Sequence, residues 1–148
     1  MAYGEARVLV RRTAGEVLDF VMDPRAYAVV DDKIGAVRWV RREGNAVTFR
    51  FRARILGLPG PLTSHRMVRT GDERVDITPV PSWQERLCHF QAFFVCVPHA
   101  EGAVVTRRLE FGLVRPLSWL AAPLTRWLRR EVPAELAAAK AWLERTGA

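Results

Sequence analysis

Hydrophobic and polar positions change their period along this chain, and each change marks an element. Glu5 to Arg12 alternates loosely, with Ala6, Val8 and Val10 in phase, and predicts an opening strand. Thr13-Ala14-Gly15-Glu16 has capping-box spacing, a hydroxyl for an orphan amide and a carboxylate three residues on to reach back. Val17, Phe20 and Val21 then follow at i, i+3 and i+4, the apolar face of a short helix. Asp23-Pro24 stops that helix and starts another, with Asp23 as N-cap and Pro24 at the first helical position. Tyr27 and Val30 face inward on it, and Asp31-Asp32 ends it.

From Ile34 the period becomes two. Val37, Trp39 and Val40 mark a second strand, and Glu43-Gly44-Asn45 a turn. Val47, Phe49, Phe51, Ala53 and Ile55 then alternate with Thr48, Arg50, Arg52 and Arg54, the cleanest alternation in the chain. Gly57-Leu58-Pro59-Gly60-Pro61 breaks it. Leu62 to Arg69, Arg74 to Thr78, Glu85 to Val97 and Ala103 to Val114 are four more strands, joined by short connections. Such connections imply an antiparallel meander. From Leu117 to Arg145 the composition shifts to helix formers. Leu120, Leu124, Trp127/Leu128, Leu136, Ala139 and Leu143 recur at helical spacing, and Gly147 suits the position just past the end. Pro123 and Pro133 predict a bend or split, placed near Glu131–Pro133. With no linker or repeat, residues 1–148 read as one domain.

The 148 residues are 49% hydrophobic and 26% charged, which suits a globular domain that needs no metal or disulfide to hold it. Lys+Arg number 23 against 16 Asp+Glu, a net charge of +7, and only Lys33 and Lys140 are lysines. The N-terminal residues lack the pattern of a secretory signal. The longest apolar stretch, Pro116 to Leu128, falls short of the ~20 residues of a membrane span. Cys88 and Cys96, on one strand, are too far apart to pair, so free thiols and a cytoplasmic location are expected. No zinc spacing, phosphate loop or GxGxxG pattern is present, so no metal and no cofactor is expected.

The element order, together with two motifs, resembles the START-like (SRPBCC) superfamily, and in particular its polyketide cyclase/dehydrase branch. One motif is the opening A-x-E-V-x-x-F-V-x-D-P-x-x-Y, here Ala14 to Tyr27; the other is G-x-x-V-x-F, here Gly44 to Phe49. The resemblance implies an α+β helix-grip fold, a curved seven-stranded antiparallel sheet wrapped around a long C-terminal helix, with two short helices after the first strand. It also implies an apolar cavity between sheet and helix that holds a lipid- or polyketide-like molecule. The alternative it implies is a polyketide aromatase/cyclase or dehydratase working in that cavity.

Ser64-His65-Arg66 resembles the Ser-x-Arg of single-domain aromatase/cyclases, with Ser64 and Arg66 on the inward face beside Leu62 and Val68. An inward guanidinium would stabilise a developing enolate or bind a ligand carboxylate; pairing with an acid such as Asp76 or Glu85, or simply reaching solvent, is the plainer reading. His89 and Gln91 share a face with Phe93 on the sixth strand, and His89 is the candidate general acid or base. Phe49, Phe51, Phe93, Leu124 and Leu128 are read as apolar ligand contacts, and Tyr27 as a packing aromatic whose phenol is available to a ligand. His65 and His99 are read as surface residues, and Trp83 as a loop anchor.

The arginines on the third strand alternate against its aromatics instead of interleaving with them on one face, so no nucleic-acid partner is expected. The Trp-bearing segment Ser118–Leu128 with its arginines is a candidate for transient contact with an anionic membrane. Oligomeric state has no signature in the sequence.

Overall fold

The computed structural model describes residues 1–146, so the expectation for Gly147 lies outside the described residues. The chain runs β1 (Ala2–Val10), α1 (Ala14–Val21), α2 (Pro24–Tyr27), β2 (Ile34–Glu43), β3 (Ala46–Ile55), β4 (Leu58–Thr70), β5 (Arg74–Pro79), β6 (Cys88–His99), β7 (Gly102–Leu113) and α3 (Ala121–Thr146). Single 3₁₀ segments at Trp83–Arg86 and Arg115–Leu120 lead into β6 and α3. The seven strands form one antiparallel sheet in the order β1-β7-β6-β5-β4-β3-β2.

Local chemistry sets the ends. Thr13 Oγ1 accepts from the Glu16 amide at 3.2 Å while the Glu16 carboxylate accepts from the Thr13 amide at 3.3 Å, the reciprocal cap of α1. Asp23 caps α2 by accepting from the Ala26 amide at 3.2 Å. The β3–β4 hairpin turns on Leu56 and Gly57, both with positive φ (57° and 77°), the twist a two-residue turn requires. Beyond this turn the strand already resumes at Leu58, because Pro59 and Pro61 lie at a register irregularity opposite Arg52 and Arg54, outside the stretch of β4 that pairs with β5.

Further expectations change. In β2 the ladder shifts between Val37 and Trp39, so Val37 and Val40 both pack on the core and Trp39 is turned partly outward. At the other end, α3 continues through Pro133 as one helix instead of splitting. The buried stripe Leu124, Leu128, Val132, Leu136, Ala139 and Leu143 holds both halves against the sheet, and this packing outweighs the missing amide.

α3 lies across the β1–β7 side of the sheet. It comes close because β1 carries Gly4, where a Cβ would stand 2.7 Å from the Leu128 Cβ. The other half of the sheet is left open toward α1 and α2, and that gap holds the site.

Candidate functional site

The inner face of the sheet, α2 and Trp127 of α3 surround a cavity of about 190 Å³. Its walls are mostly apolar: Phe49, Phe51, Met67, Ile77, Phe90, Phe94, Leu109 and Phe111 all border it. Strand pairing explains which side chains arrive there. Residues directly opposite in an antiparallel ladder share a face. Phe51 pairs with Thr63, Phe49 with His65 and Val47 with Met67, so all six point inward together. The same rule puts Phe94 opposite Arg107 and Ala92 opposite Leu109.

At the buried end stands a cluster of charge. Asp31 follows α2, and its Oδ1 accepts from the Lys33 amide at 3.0 Å, a turn that points the lysine back into the protein. Lys33 Nζ donates to Glu135 Oε1 at 2.6 Å and lies 2.9 Å from Asp31 Oδ1. Tyr27 donates its hydroxyl to Glu135 Oε2 at 2.5 Å, and Arg107 Nε donates to the same oxygen at 3.1 Å. Arg107 Nη2 reaches toward Asp31 Oδ2 at 3.7 Å, and its guanidinium lies over the Phe94 ring at 4.2 Å. All five side chains are buried. Two anions thus face two cations, with a phenol completing the carboxylate shell.

Burial opposes every charge here, and the partners decide the outcome. Desolvation favours a neutral Glu135, but Arg107 and Lys33 together hold its carboxyl below the ordinary range. Asp31 goes the other way: desolvation and the neighbouring Glu135 charge raise it against the pull of Lys33 and Arg107. Lys33 and Arg107 stay cationic because Glu135 and Asp31 outweigh their desolvation. Burial and the two carboxylates push the Tyr27 phenol well above its usual value.

Arg107 contributes Nε and Nη2 to this network, but Nη1 is buried without a hydrogen-bond partner among the described residues. A donor left unpaired in the interior is destabilising by about 1–3 kcal/mol, and by more when it belongs to a charged group. Arg107 borders the cavity, so this closed-off donor belongs to a side chain that a ligand would meet. His65 is nearby, stacked on Phe90 at 4.7 Å and edge-on to Phe51 at 4.9 Å. Burial and the Arg107 charge push its imidazole down to about 3, so it is neutral in the physiological range.

The shallow end is bordered by Arg54, Pro61, Ser82 and Gln84. Gln84 Nε2 donates to the Leu62 carbonyl at 3.0 Å, tying the first 3₁₀ segment to β4. Trp83 sits between Ser82 and Gln84 and is 66% exposed, so it is no loop anchor; Leu58, at the hairpin, is 65% exposed. The Val114 amide donates to the Leu87 carbonyl at 3.1 Å and so joins the second 3₁₀ segment, which carries the 71% exposed Trp119, to the same rim.

No family model and no curated protein matches this chain. Solved structures do. A protein from Thermus thermophilus superposes over 99% of this chain and 99% of its own, at 15% identity and a TM-score of 0.81. The Zhui aromatase/cyclase from Streptomyces sp. R1128 is 14% identical, with 99% of this chain and 95% of its own covered and a TM-score of 0.77. A START superfamily protein from Mycobacterium smegmatis is 16% identical over 98% of this chain and 99% of its own, with a TM-score of 0.73. The fold is the START-like helix grip. At identities this low the likeness is one of fold.

The helix grip places some expected residues in the cavity and turns others away. Tyr27, Phe49 and Phe51 border it. Leu124 and Leu128 are buried in the packing of α3, outside the cavity lining. Ser64 and Arg66 face outward, opposite Arg50 and Thr48, which reverses the expected face of β4. Leu62 and Val68 weigh the same as Met67 in sequence, but the register with Phe49 and Phe51 decides the face. Ser64 Oγ accepts from Arg50 at 3.1 Å, Arg66 is exposed, and Asp76 pairs with Arg74 at 2.8 Å.

β6 is reversed in the same way. His89 and Gln91 are exposed, Gln91 donates to Glu110 at 2.6 Å, and Phe93 lies on the outer face under Arg74 at 4.5 Å. The inward face is Cys88, Phe90, Ala92, Phe94 and Cys96, and both thiols are free. His65, expected at the surface, is inside; His99 is exposed.

Many of the arginines have structural partners. Arg52 donates to the Gly60 carbonyl, Arg42 to the Met22 carbonyl and Arg12 to the Glu144 carbonyl, while Arg69 bridges Asp19 and Asp72. Among the described residues, no group of three His, Cys, Asp or Glu is placed to hold a metal ion, and no helix is long and apolar enough to cross a membrane.

Proposed function

We propose that the protein binds a compact, largely apolar small molecule in the helix-grip cavity, with one polar group of the ligand at Arg107. The observation that carries this reading is a mostly apolar chamber bordered at its buried end by Arg107, whose Nη1 has no hydrogen-bond partner among the described residues. Apolar walls supply the affinity and a few placed polar groups the orientation, as in most small-molecule sites. Size narrows the class. An apolar cavity of ~150 Å³ takes up benzene, and drug-sized pockets begin near ~300 Å³. The chamber of about 190 Å³ therefore suits a small substituted or fused aromatic, with any remainder directed toward the mouth. Titration with 2-acetylnaphthalene, followed by its fluorescence, should saturate at one molecule per chain. Ala53→Phe places a ring on the same inner wall and should remove binding while leaving a cooperative melt. Equal binding by this variant would sink the reading.

Aromatase/cyclase or dehydratase chemistry is the second reading, favoured by an imidazole that faces the cavity beside a guanidinium. It ranks lower because His65 at about 3 is a weak base; the displacement from ~6.5 corresponds to roughly 5 kcal/mol. Turnover of a poly-β-ketone thioester, lost in Arg107→Gln with the fold intact, would reverse the order. The rim suggests how an apolar ligand arrives. Leu56, Leu58, Trp83, Leu87 and Trp119 are all exposed there, alongside Arg54, Arg86 and Arg115. Exposed tryptophans with arginines suit transient contact with an anionic bilayer.

A further inference from the structure

We infer that the ligand's polar group is an uncharged oxygen acceptor, such as a ketone, aldehyde or amide carbonyl, and that carboxylates and ammonium groups of the same shape are rejected. The inference rests on the reading of the cavity as a ligand site and deepens it.

The buried cluster is balanced. Asp31 and Glu135 face Lys33 and Arg107, so no net charge is left to attract an ion into the cavity. Arg107 looks like a ready anion site, but it is already neutralised: its Nε lies 3.1 Å from Glu135 and its Nη2 3.7 Å from Asp31. A carboxylate brought to Nη1 would give up its water and gain only one donor. It would also stand beside the two carboxylates that already hold this guanidinium. Desolvation of the ion then exceeds the attraction it gains. A carbonyl oxygen takes the same hydrogen bond with a far smaller desolvation penalty, and it relieves a donor that is otherwise unpaired.

Cations meet the opposite obstacle. Both oxygens of Glu135 are already acceptors, one for Lys33 and the other for Tyr27 and Arg107. Asp31 Oδ1 is bound to the Lys33 amide and faces its ammonium. An arriving ammonium would find Lys33 and Arg107 in its way. His65 already obeys this rule, since the same burial and the same guanidinium keep its imidazole neutral. The cavity selects against both signs of charge.

The test uses three probes of one shape at neutral pH: 2-acetylnaphthalene, 2-naphthamide and 2-naphthoate, each titrated into the full chain by fluorescence and by calorimetry. The ketone and the amide should bind within a few-fold of each other, and the carboxylate at least ~10-fold more weakly. Naphthoate binding as tightly as the amide would overturn the inference while leaving the cavity reading intact. Saturable binding by none of the three would remove the cavity reading itself. Asp31→Asn supplies a second arm, because it keeps an oxygen for the Lys33 amide and leaves the cluster with one net positive charge. This variant should recover naphthoate by ~10-fold relative to the amide measured on the same variant. Recovery of both probes alike, or of neither, would count against charge balance as the cause.

Discussion

Removing the Glu135 carboxylate should be among the most destabilising single changes in this protein. Glu135→Leu takes away the acceptor of three donors at once: Lys33 Nζ at 2.6 Å, Tyr27 Oη at 2.5 Å and Arg107 Nε at 3.1 Å. Asp31 then remains alone to balance two buried cations. Leaving a buried ion without its partner is destabilising by about 3–5 kcal/mol, a large share of a typical total of ~5–15 kcal/mol. For a chain of this length the melting temperature should fall by roughly 6–20 °C. The comparison that isolates the cause is Lys33→Met/Glu135→Leu, which deletes one charge of each sign. This double variant should be more stable than Glu135→Leu alone, because the orphaned ammonium has gone with its partner. The readout is urea unfolding followed by circular dichroism. Two results would refute the reasoning: a single variant within about 1 kcal/mol of the parent, or a double variant showing the plain sum of both losses. Acidification should act in the same direction. The folded-state pKa of Glu135 lies below its unfolded value, so its contribution is present above the unfolded value near 4.3 and is lost as pH falls through the folded one.

Other predictions follow from features away from that carboxylate. His65 titrates at about 3 in the fold, so the unfolded chain, near 6.5, takes up the proton first and stability falls as pH drops below neutrality. About 2 kcal/mol should be lost between pH 7 and 5; His65→Phe, which keeps the stack on Phe90, should remove that part of the slope, and unchanged urea midpoint differences would contradict this. Gly4→Ala sets a methyl group 2.7 Å from the Leu128 Cβ and 2.9 Å from its carbonyl oxygen, and should be destabilising by about 1–3 kcal/mol in the same assay; a neutral outcome would mean α3 shifts freely. The chain should sediment with phosphatidylserine vesicles and not with neutral ones, and Trp83→Ser/Trp119→Ser should abolish this at unchanged stability; equal sedimentation with both kinds would dismiss the rim as a membrane contact.

Periodicity and capping chemistry carry the order of the elements, since both are local and survive in one sequence, while the helix-grip arrangement is legible only through the family resemblance of that order and two motifs. The site depends on something else. Ser64, Arg66, His89 and Gln91 are attractive because they combine polar chemistry with apolar neighbours, yet on β4 and β6 both faces carry apolar residues. Only cross-strand register chooses between such faces, and register is a property of two strands. The actual polar residues do leave a signal in phase. Arg107 occupies the inward position of Ala103, Val105 and Leu109, and Glu135 lies in the buried stripe between Val132 and Ala139. A base on an inward strand phase and an acid on an inward helix phase can both be buried only if they meet. Lys33, one of two lysines in the chain, follows the same logic behind Asp31.

The polar cluster also bears on time. Tyr27 and Glu135 are 108 residues apart in sequence, Lys33 and Glu135 are 102, and β1 closes the sheet edge against β7 at a similar distance. Contacts that close such long loops require most of the chain to be ordered first, so they assemble late. Hairpins from β2 to β7 should form first, with α3 docking its carboxylate onto them near the end. Substitutions at Glu135 should therefore hardly slow refolding and should mainly speed unfolding. The buried charges act as a latch on the native state, setting how long the closed cavity persists more than how quickly it forms.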